Sequence, residues 1–508
     1  MARHVVIALD WDAFYCSVEE KANPGLRNVP FAVRQKTIVC TCNYVARAAG
    51  VRKLCKLSEA LEICPSLVVI PGEDLSKYRD ASKMLWHFVQ KLVWNGRVER
   101  LGFDELLLDV TEMVEFNLDA WRRRTERFFF RTSRDDAAEG FWCDSDVRGH
   151  RAGAGAGPDA DDGAACVALA SQLCAQIRGL ILSETGFTSS GGVGPGKIVA
   201  KMVGALHKPD AQTVIFPDEV QAFLDPLPVR RVTGVGSKMA GALEAAVGAA
   251  DGAADTTVFD VRTRLGSAAG LAIVGAASRL WELFNGEDVA PVVPTAAVPT
   301  QISIEDSFRG VSAGGVVDAL QALARSLVTR MRKDLLADDD ERRWLAYPRS
   351  VRVSVQRADA PYGMRISRTA PLPAYALKDG AVNVIAARLV HGVVLALFER
   401  ACGGEPASIV NVAVVGIELA GADISTWARG EPPAKRARVD AVLADADVDV
   451  PPVAEREDTP GWLSDDSFSD ASDGSDALET APTDSCSVCG AVMPVFVMQA
   501  HLLFHESS

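Results

Sequence analysis

Arg100-Leu101-Gly102-Phe103-Asp104-Glu105-Leu106-Leu107-Leu108-Asp109-Val110 sets two adjacent carboxylates at the head of an apolar run. Three consecutive leucines predict a strand buried on at least one face, so Asp104 and Glu105 stand where that strand meets a core. Neighbouring side chains on a regular strand point to opposite faces. Both acids therefore reach one place only if the backbone turns, which Gly102 permits. Upstream, His4-Val5-Val6-Ile7-Ala8-Leu9-Asp10 repeats the design, an apolar strand ending in a carboxylate. Three acids delivered to one place by strand ends make an oxygen-rich site for hard divalent cations, Mg²⁺ or Mn²⁺. Taken singly, each acid is more simply a strand-end carboxylate satisfied by backbone N–H groups or a surface ion pair; the combination carries the metal reading.

At 508 residues the chain exceeds one domain and predicts three or more. No uninterrupted run of about 18 apolar residues marks a membrane span, and Met1-Ala2-Arg3-His4 leads into a strand rather than a signal peptide. The expectation is a soluble, intracellular protein with no membrane partner. Of 11 cysteines only Cys486 and Cys489 are spaced like ligands, so the others read as reduced thiols. The net charge of −14 argues against a nucleic-acid partner until it is divided. Residues 431–508 hold 16 Asp/Glu and 4 Lys/Arg, a net of −12, which leaves residues 1–430 at −2. Within that body residues 131–163 carry 8 acids and 4 bases, so the remainder is at +2. Distribution, not the total, decides the partner.

Along the chain, Phe14 and Val18 lie at helical spacing behind Asp12, which is placed as an N-cap, and Asn23-Pro24-Gly25 ends that helix. Residues 31–33 and 37–42 read as strands, 44–50 as a short helix closed by glycine, and 56–98 as mainly helical around a strand at 67–70. Residues 131–163, with their Gly-Ala repeat and Asp159-Ala160-Asp161-Asp162-Gly163, predict a disordered insertion that cannot bury a core of its own. An amphipathic helix follows at 166–183 and an alanine-rich helical stretch at 226–290. From 301 to about 424, strands alternate with two helices, 316–332 and 381–400.

Four motifs in this order resemble the Y-family translesion DNA polymerases over roughly residues 1–425: Asp10-x-Asp12-x-Phe14-Tyr15-x-Ser17-Val18-Glu19, Asn43-Tyr44-x-Ala46-Arg47-x-x-Gly50-Val51, Asp104-Glu105-x-x-Leu108-Asp109 and Gly192-Val193-x-x-x-Lys197-x-x-Ala200-Lys201. The resemblance implies an α/β chain: an α+β palm (1–30 and 99–225), fingers (31–98), a helical thumb with a helix-hairpin-helix turn (226–295) and an α/β little finger (300–428). It also implies roles. Asp10, Asp104 and Glu105 would hold two Mg²⁺ for attack of a primer 3′-hydroxyl on the α-phosphate of a dNTP. Tyr15 would be the steric gate against a ribose 2′-OH. Tyr44 and Arg47, three apart on one helical face, would hold the triphosphate, and Lys197 would neutralise it. Gln35 and Ile38 would lie over the templating base. Gly234 and Gly236, in Val232-Thr233-Gly234-Val235-Gly236-Ser237, would turn backbone N–H groups to a phosphate of primer–template DNA. Arg352, Arg357, Arg365 and Arg368 would form a phosphate-tracking stripe beside Val351, Val353 and Val355. The bland alternatives are a core aromatic for Tyr15, a solvated cation for Arg47, an ordinary glycine turn and a solvated sheet face.

The resemblance has departures. Gly191-Gly192-Val193-Gly194-Pro195-Gly196 lacks the family's Ser or Ala and its Asn before the lysine, and Leu106 replaces a small or polar residue. Gln35-Lys36, Thr41-Cys42-Asn43-Tyr44 and Gly72-Glu73-Asp74-Leu75-x-x-Tyr78-Arg79 are similar to the iota branch, with the eta branch as the alternative. No segment resembles a proofreading domain, so low fidelity is expected. A rival from another class is a non-catalytic adaptor that keeps the fold to bind DNA and ubiquitin.

In the tail, Lys435-Arg436-Ala437-Arg438 predicts nuclear import within a disordered linker (429–480), whose residues 440–479 hold 13 acids against one arginine. Cys486-x2-Cys489-x11-His501-x3-His505 has the spacing of a tetrahedral Zn²⁺ site in a small ββα finger (481–508). That stretch contains no Lys or Arg, and Val497, Ala500 and Phe504 share an apolar helical face, so a protein partner is expected rather than DNA. It resembles the ubiquitin-binding finger of the eta branch, implying ubiquitin or a ubiquitinated sliding clamp as partner. Leu502-Leu503-Phe504 stands where that finger carries an Asp between its histidines.

Overall fold

The computed structural model describes residues 4–248 and 256–420, with breaks at 276–277, 297, 312–314, 338–339 and 362, and a strand pair at Thr483–Ser485 and Val492–Pro494. It divides into two compact units, Met1–Thr295 with Arg456–Ser508, and Ala296–Glu455. The fold is mixed α/β.

The first unit is built on a six-stranded sheet in the order Val98–Leu101, Glu105–Asp109, Val6–Trp11, Ser189–Gly194, Gln212–Val214, His150–Arg151. The first four strands pair antiparallel and the last two join parallel. Alternation splits the two buried central strands. Ile7, Leu9, Leu106 and Leu108 enter the main core with the helix Asp162–Thr185, each such burial worth roughly 1.5–3 kcal/mol. Val6, Ala8 and Leu107 face the other way and meet Ala200 of the helix Lys197–Gly204. That helix lies close on the sheet because Gly192 has no side chain: a Cβ there would fall 1.9 Å from the Ala200 carbonyl oxygen and 2.6 Å from the Gly204 nitrogen.

Three expectations are corrected here. Asp12 does not cap the helix Phe14–Ala22; the cap position belongs to Ala13, in the left-handed region at φ 43, and the Asp12 carboxylate is turned to Ser190 and Asp210. The helix Asp162–Thr185 is not amphipathic over its first half, where residues 164–174 are buried on every side. The stretch 131–163 is ordered. Arg127–Arg131 and Gly140–Asp144 form a hairpin that sends Phe128, Phe130 and Cys143 into the main core, and His150–Arg151 becomes the sixth strand of the sheet. The Gly-Ala loop is pinned by a neighbouring turn: buried Glu219 accepts from Arg151 and from the Gly155 N–H at 2.7 Å, and Asp218 accepts from the Ala156 N–H at 2.9 Å. Average composition hides this, because the hairpin aromatics, the Asp218 and Glu219 acids and side chains outside the stretch such as Gln172, Gln212 and Arg124 hold it in place.

A small sheet, Ile38–Cys42, Phe31–Gln35 and Val68–Pro71, with the helices Tyr44–Ala48 and Leu57–Ile63, has a core of its own. Another core gathers the helices Ser237–Val247, Val258–Arg264, Ser267–Val274 and Arg279–Phe284. The second unit is an antiparallel sheet in the order Gln301–Val311, Ala407–Leu419, Ala346–Arg357, Ile366–Pro371, whose apolar face packs on Val316–Leu335 and the stretch Val382–Cys402. Asp162–Thr185 and Val382–Cys402 are long and apolar enough to cross a membrane, and both contribute to these cores.

Candidate active site

Strand register sets Asp10 directly opposite Glu105, so the two side chains leave the same face of the sheet. Gly102, at φ 66, bends the chain just before, and Asp104 sits in that bend with its carbonyl accepting the Trp11 N–H at 2.8 Å. Leu106 falls on the opposite face, 2% exposed. Its bulk therefore lies in the core and away from the acids. Burial, then the charges of Asp10 and Glu105, push the Asp104 carboxyl up to about 6. Burial likewise raises Glu105, against the opposing pull of Lys201. Carboxylates that raise one another in a half-buried place call for a cation, and the donor set, all hard oxygens, suits Mg²⁺ or Mn²⁺. Among the described residues, no three His, Cys, Asp or Glu side chains already converge on one point. Two of the acids are drawn to lysines instead.

Those lysines are Lys201, whose Nζ lies 2.6 Å from Glu105 Oε2, and Lys208, which pairs with Asp10. Lys197 is not among them. Its Nζ is held 2.9 Å from both oxygens of Glu99, which also accepts the Val293 N–H at 2.8 Å. The expectation for Lys197 is corrected by helix geometry: one turn separates it from Lys201, so Lys197 meets the edge strand Val98–Leu101 and Lys201 the next strand inward. Lys201 could have been found from its i+4 relation to Lys197. Lys208 lies in a loop, where no periodicity marks it.

Tyr15 stacks on Tyr78 with ring centroids 4.1 Å apart and stands 6.3 Å from Phe103, the residue before Asp104. Burial and then the Asp104 charge hold its phenol well above the usual range, so it stays neutral. Tyr44 and Arg47 share a helix face, the guanidinium 4.5 Å from the ring centroid. Their helix starts at Asn43, whose side chain accepts the Ala46 N–H at 3.0 Å and the Phe31 N–H at 3.2 Å. Burial, followed by the charge of Asp12, raises Tyr44 to about 12, with Asp10 a smaller contributor. The second motif thus stands beside the first. Gln35 and Ile38 pair across a hairpin that turns at Lys36 (φ 54), and Gln35 is fixed by donating to the Gly72 carbonyl at 3.0 Å.

Gly234 takes φ 96, and Gly236 caps the helix Ser237–Val247 with no capping side chain, so the first-turn N–H groups have no side-chain acceptor there. In the second unit the expected cationic stripe is corrected. Arg368 is opposite Val353 in register, hence on the apolar face rather than the polar one. Ser354 and Gln356 are buried and bonded to Ser367 and the Gly363 N–H. Arg352 donates to Gln301, Arg357 pairs with Asp359, and Arg365 pairs with Glu305. Local carboxylates thus neutralise part of the stripe. Lys435, Arg436 and Arg438, and the zinc-ligand candidates Cys486, Cys489, His501 and His505, lie outside the described residues.

Residues 9–205 match the impB/mucB/samB family and residues 217–246 match the helix-hairpin-helix motif of the same family. These stretches of the chain belong to this family. The chain is similar to the DNA polymerase iota of Mus musculus, 34% identical over 376 residues (74% of this chain, 48% of that one). The DNA polymerase iota of Homo sapiens is 32% identical over 378 residues (74% and 46%), and a DNA polymerase IV of Escherichia coli 31% over 244 residues (47% and 54%). The chain spans about half the length of these relatives. Asp10, Asp12, Tyr15, Tyr44, Arg47, Asp104, Glu105, Lys197 and Lys201 lie inside the impB/mucB/samB match, and Lys208 lies three residues beyond its end.

Proposed function

We propose that the chain is a template-directed DNA polymerase of the translesion type, adding dNTPs to a primer 3′-hydroxyl opposite damaged template bases. One observation carries this reading: Asp10, Asp104 and Glu105 stand at the same end of two paired strands, close enough for the charges of Asp10 and Glu105 to act on Asp104, with Tyr15, Tyr44, Lys201 and Lys208 around them. Divalent cations held by Asp10, Asp104 and Glu105 would supply the positive charge that activates the hydroxyl and steadies the leaving pyrophosphate. Tyr15 restricts the sugar pocket with a rigid, stacked ring, and Arg47, Lys201 and Lys208 balance the triphosphate charge. Primer extension tests it. Asp104→Ala with Glu105→Ala should drop extension below detection while leaving the circular dichroism unchanged; extension equal to the parent protein would overturn the polymerase reading in favour of an adaptor.

The iota-like assignment is supported by the iota relatives and by Gln35 and Ile38, paired across one hairpin, which would lie over the templating base. Incorporation opposite each of the four template bases separates it from an eta-like enzyme, which would not distinguish template T from template A. The C-terminal stretch is proposed as a Zn²⁺ finger for ubiquitin or a ubiquitinated clamp, and the basic cluster as a nuclear address. The antiparallel pair Thr483–Ser485 and Val492–Pro494 supports a finger, since it brackets Cys486 and Cys489. Ubiquitin titration against residues 481–508 in zinc, with no change on addition, would sink that part.

A further inference from the structure

Asp12 was placed by its spacing as a helix cap and is not one, so its 3% exposed carboxylate needs another account. A buried carboxylate is costly unless its oxygens are bonded. Both are. Oδ1 accepts from the Ser190 hydroxyl at 2.6 Å and Oδ2 from the Asp210 backbone N–H at 2.9 Å. Ser190 sits directly opposite Asp10 in the sheet, and Asp12 is two residues beyond Asp10, so all three leave the same face. Asp210 ends the turn that presents Lys208, the residue that reaches back to Asp10.

Around the turn His207 Nδ1 lies 2.9 Å from Thr213 Oγ1 and the Ala211 carbonyl accepts the Gly191 N–H at 2.9 Å, while two contacts act on Asp210 itself. Asp210 occupies the left-handed region at φ 47, which aspartate visits more readily than most non-glycine residues and which local contacts help to hold. One anchor is Arg178, which donates to Asp210 Oδ1 at 2.7 Å and to the Ser189 carbonyl at 2.8 Å. The other is the Asp12 carboxylate on the Asp210 N–H. Loss of the second frees the backbone two residues from Lys208, whose four-carbon stem magnifies any change in where the turn points.

We propose that Asp12 is a positioning residue that delivers the Lys208 ammonium to the acid cluster, and that through it the sequence Asp10-x-Asp12 sets both the carboxylate and its cation. The proposal rests on the polymerase reading above, in which Lys208 balances the triphosphate. It predicts that Asp12 acts on nucleotide binding through Lys208 and on nothing else.

The test is a double-mutant cycle in single-nucleotide incorporation on primer–template DNA, using the full chain. Asp12→Ala should raise the KM for dNTP about tenfold or more with kcat changed less than threefold. Lys208→Ala should do the same, and the double variant should be no worse than Lys208→Ala alone. Asp12→Asn, which keeps an acceptor for the Asp210 N–H and a partner for Ser190, should restore a KM within about threefold of the parent. Effects of Asp12→Ala and Lys208→Ala that multiply independently, or an Asp12→Asn as poor as Asp12→Ala, would overturn the proposal. Should Asp12→Ala fail to fold, Ser190→Ala removes one of the two hydrogen bonds that fix the Asp12 carboxylate and carries the same cycle with a KM rise of about fivefold. A parent protein that extends no primer would instead defeat the polymerase reading, so the two failures are told apart.

Discussion

Asp104 is held at about 6, against an ordinary value of 3.8. A carboxyl whose folded value is raised costs stability at neutral pH; the cost is present above about pH 6 and is relieved as pH falls toward 4. Asp104→Asn should therefore stabilise the metal-free protein at pH 7.5 by about 1–3 kcal/mol, with the gain vanishing near pH 4. Urea melts in chelator at several pH values check this, and a constant gain at all pH values would refute it. The same residue illustrates why active sites are not stability optima. Tyr15 belongs at this scale too. Its ring is braced by Tyr78 at 4.1 Å, so replacing it with Ala should open the sugar pocket without moving the helix. Ribonucleotide incorporation relative to deoxynucleotide should rise by about one to two orders of magnitude, the equivalent of roughly 1.4–2.7 kcal/mol of lost discrimination.

Among elements, the crossing of the strand Ser189–Gly194 and the helix Lys197–Gly204 decides where Lys201 stands. A Cβ at Gly192 would lie 1.9 Å from the Ala200 carbonyl oxygen, against backbone that cannot step aside. Gly192→Ala should cost more than about 3 kcal/mol in denaturant unfolding, whereas Gly241→Ala, with nothing near its Cβ in the helix Ser237–Val247, should stabilise slightly. Glu219 is the element-scale anchor of the 151–157 loop. Glu219→Ala should expose that loop, with limited proteolysis appearing between residues 151 and 160 and the rest of the chain intact; an unchanged digestion pattern would count against the anchoring. Neither feature was legible in the sequence. Glycine in Gly191-Gly192-Val193-Gly194 signals a loop as readily as a close approach, and the acid that orders the Gly-Ala stretch stands about 65 residues away from it. By contrast, the strand around Leu106 and the helix behind Phe14 were legible, because each carries its own periodicity.

Taken as a whole, the described chain forms two units with separate cores, and the acids, aromatics and lysines of the candidate site all belong to the first. A chain truncated after residue 425, which drops most of the negative charge, should extend primer on undamaged template at a rate within about threefold of the full chain and with a steeper loss in high salt, because the tail's repulsion of DNA is what salt would otherwise screen. Extension that needs the tail would show that the acidic stretch or the finger takes part in catalysis. By itself the sequence determined the acid positions, the order of the motifs, the family resemblance and the strands that deliver Asp10 and Glu105, since alternation and local apolar runs are properties of neighbouring residues. Only the tertiary structure decided which lysines meet those acids, that Asp12 ties a distant turn instead of capping a helix, that Leu106 lies in the core, and that residues 131–163 are ordered. Those outcomes depend on contacts between residues 60 to 200 positions apart, where register and packing, not local propensity, set which side chains meet.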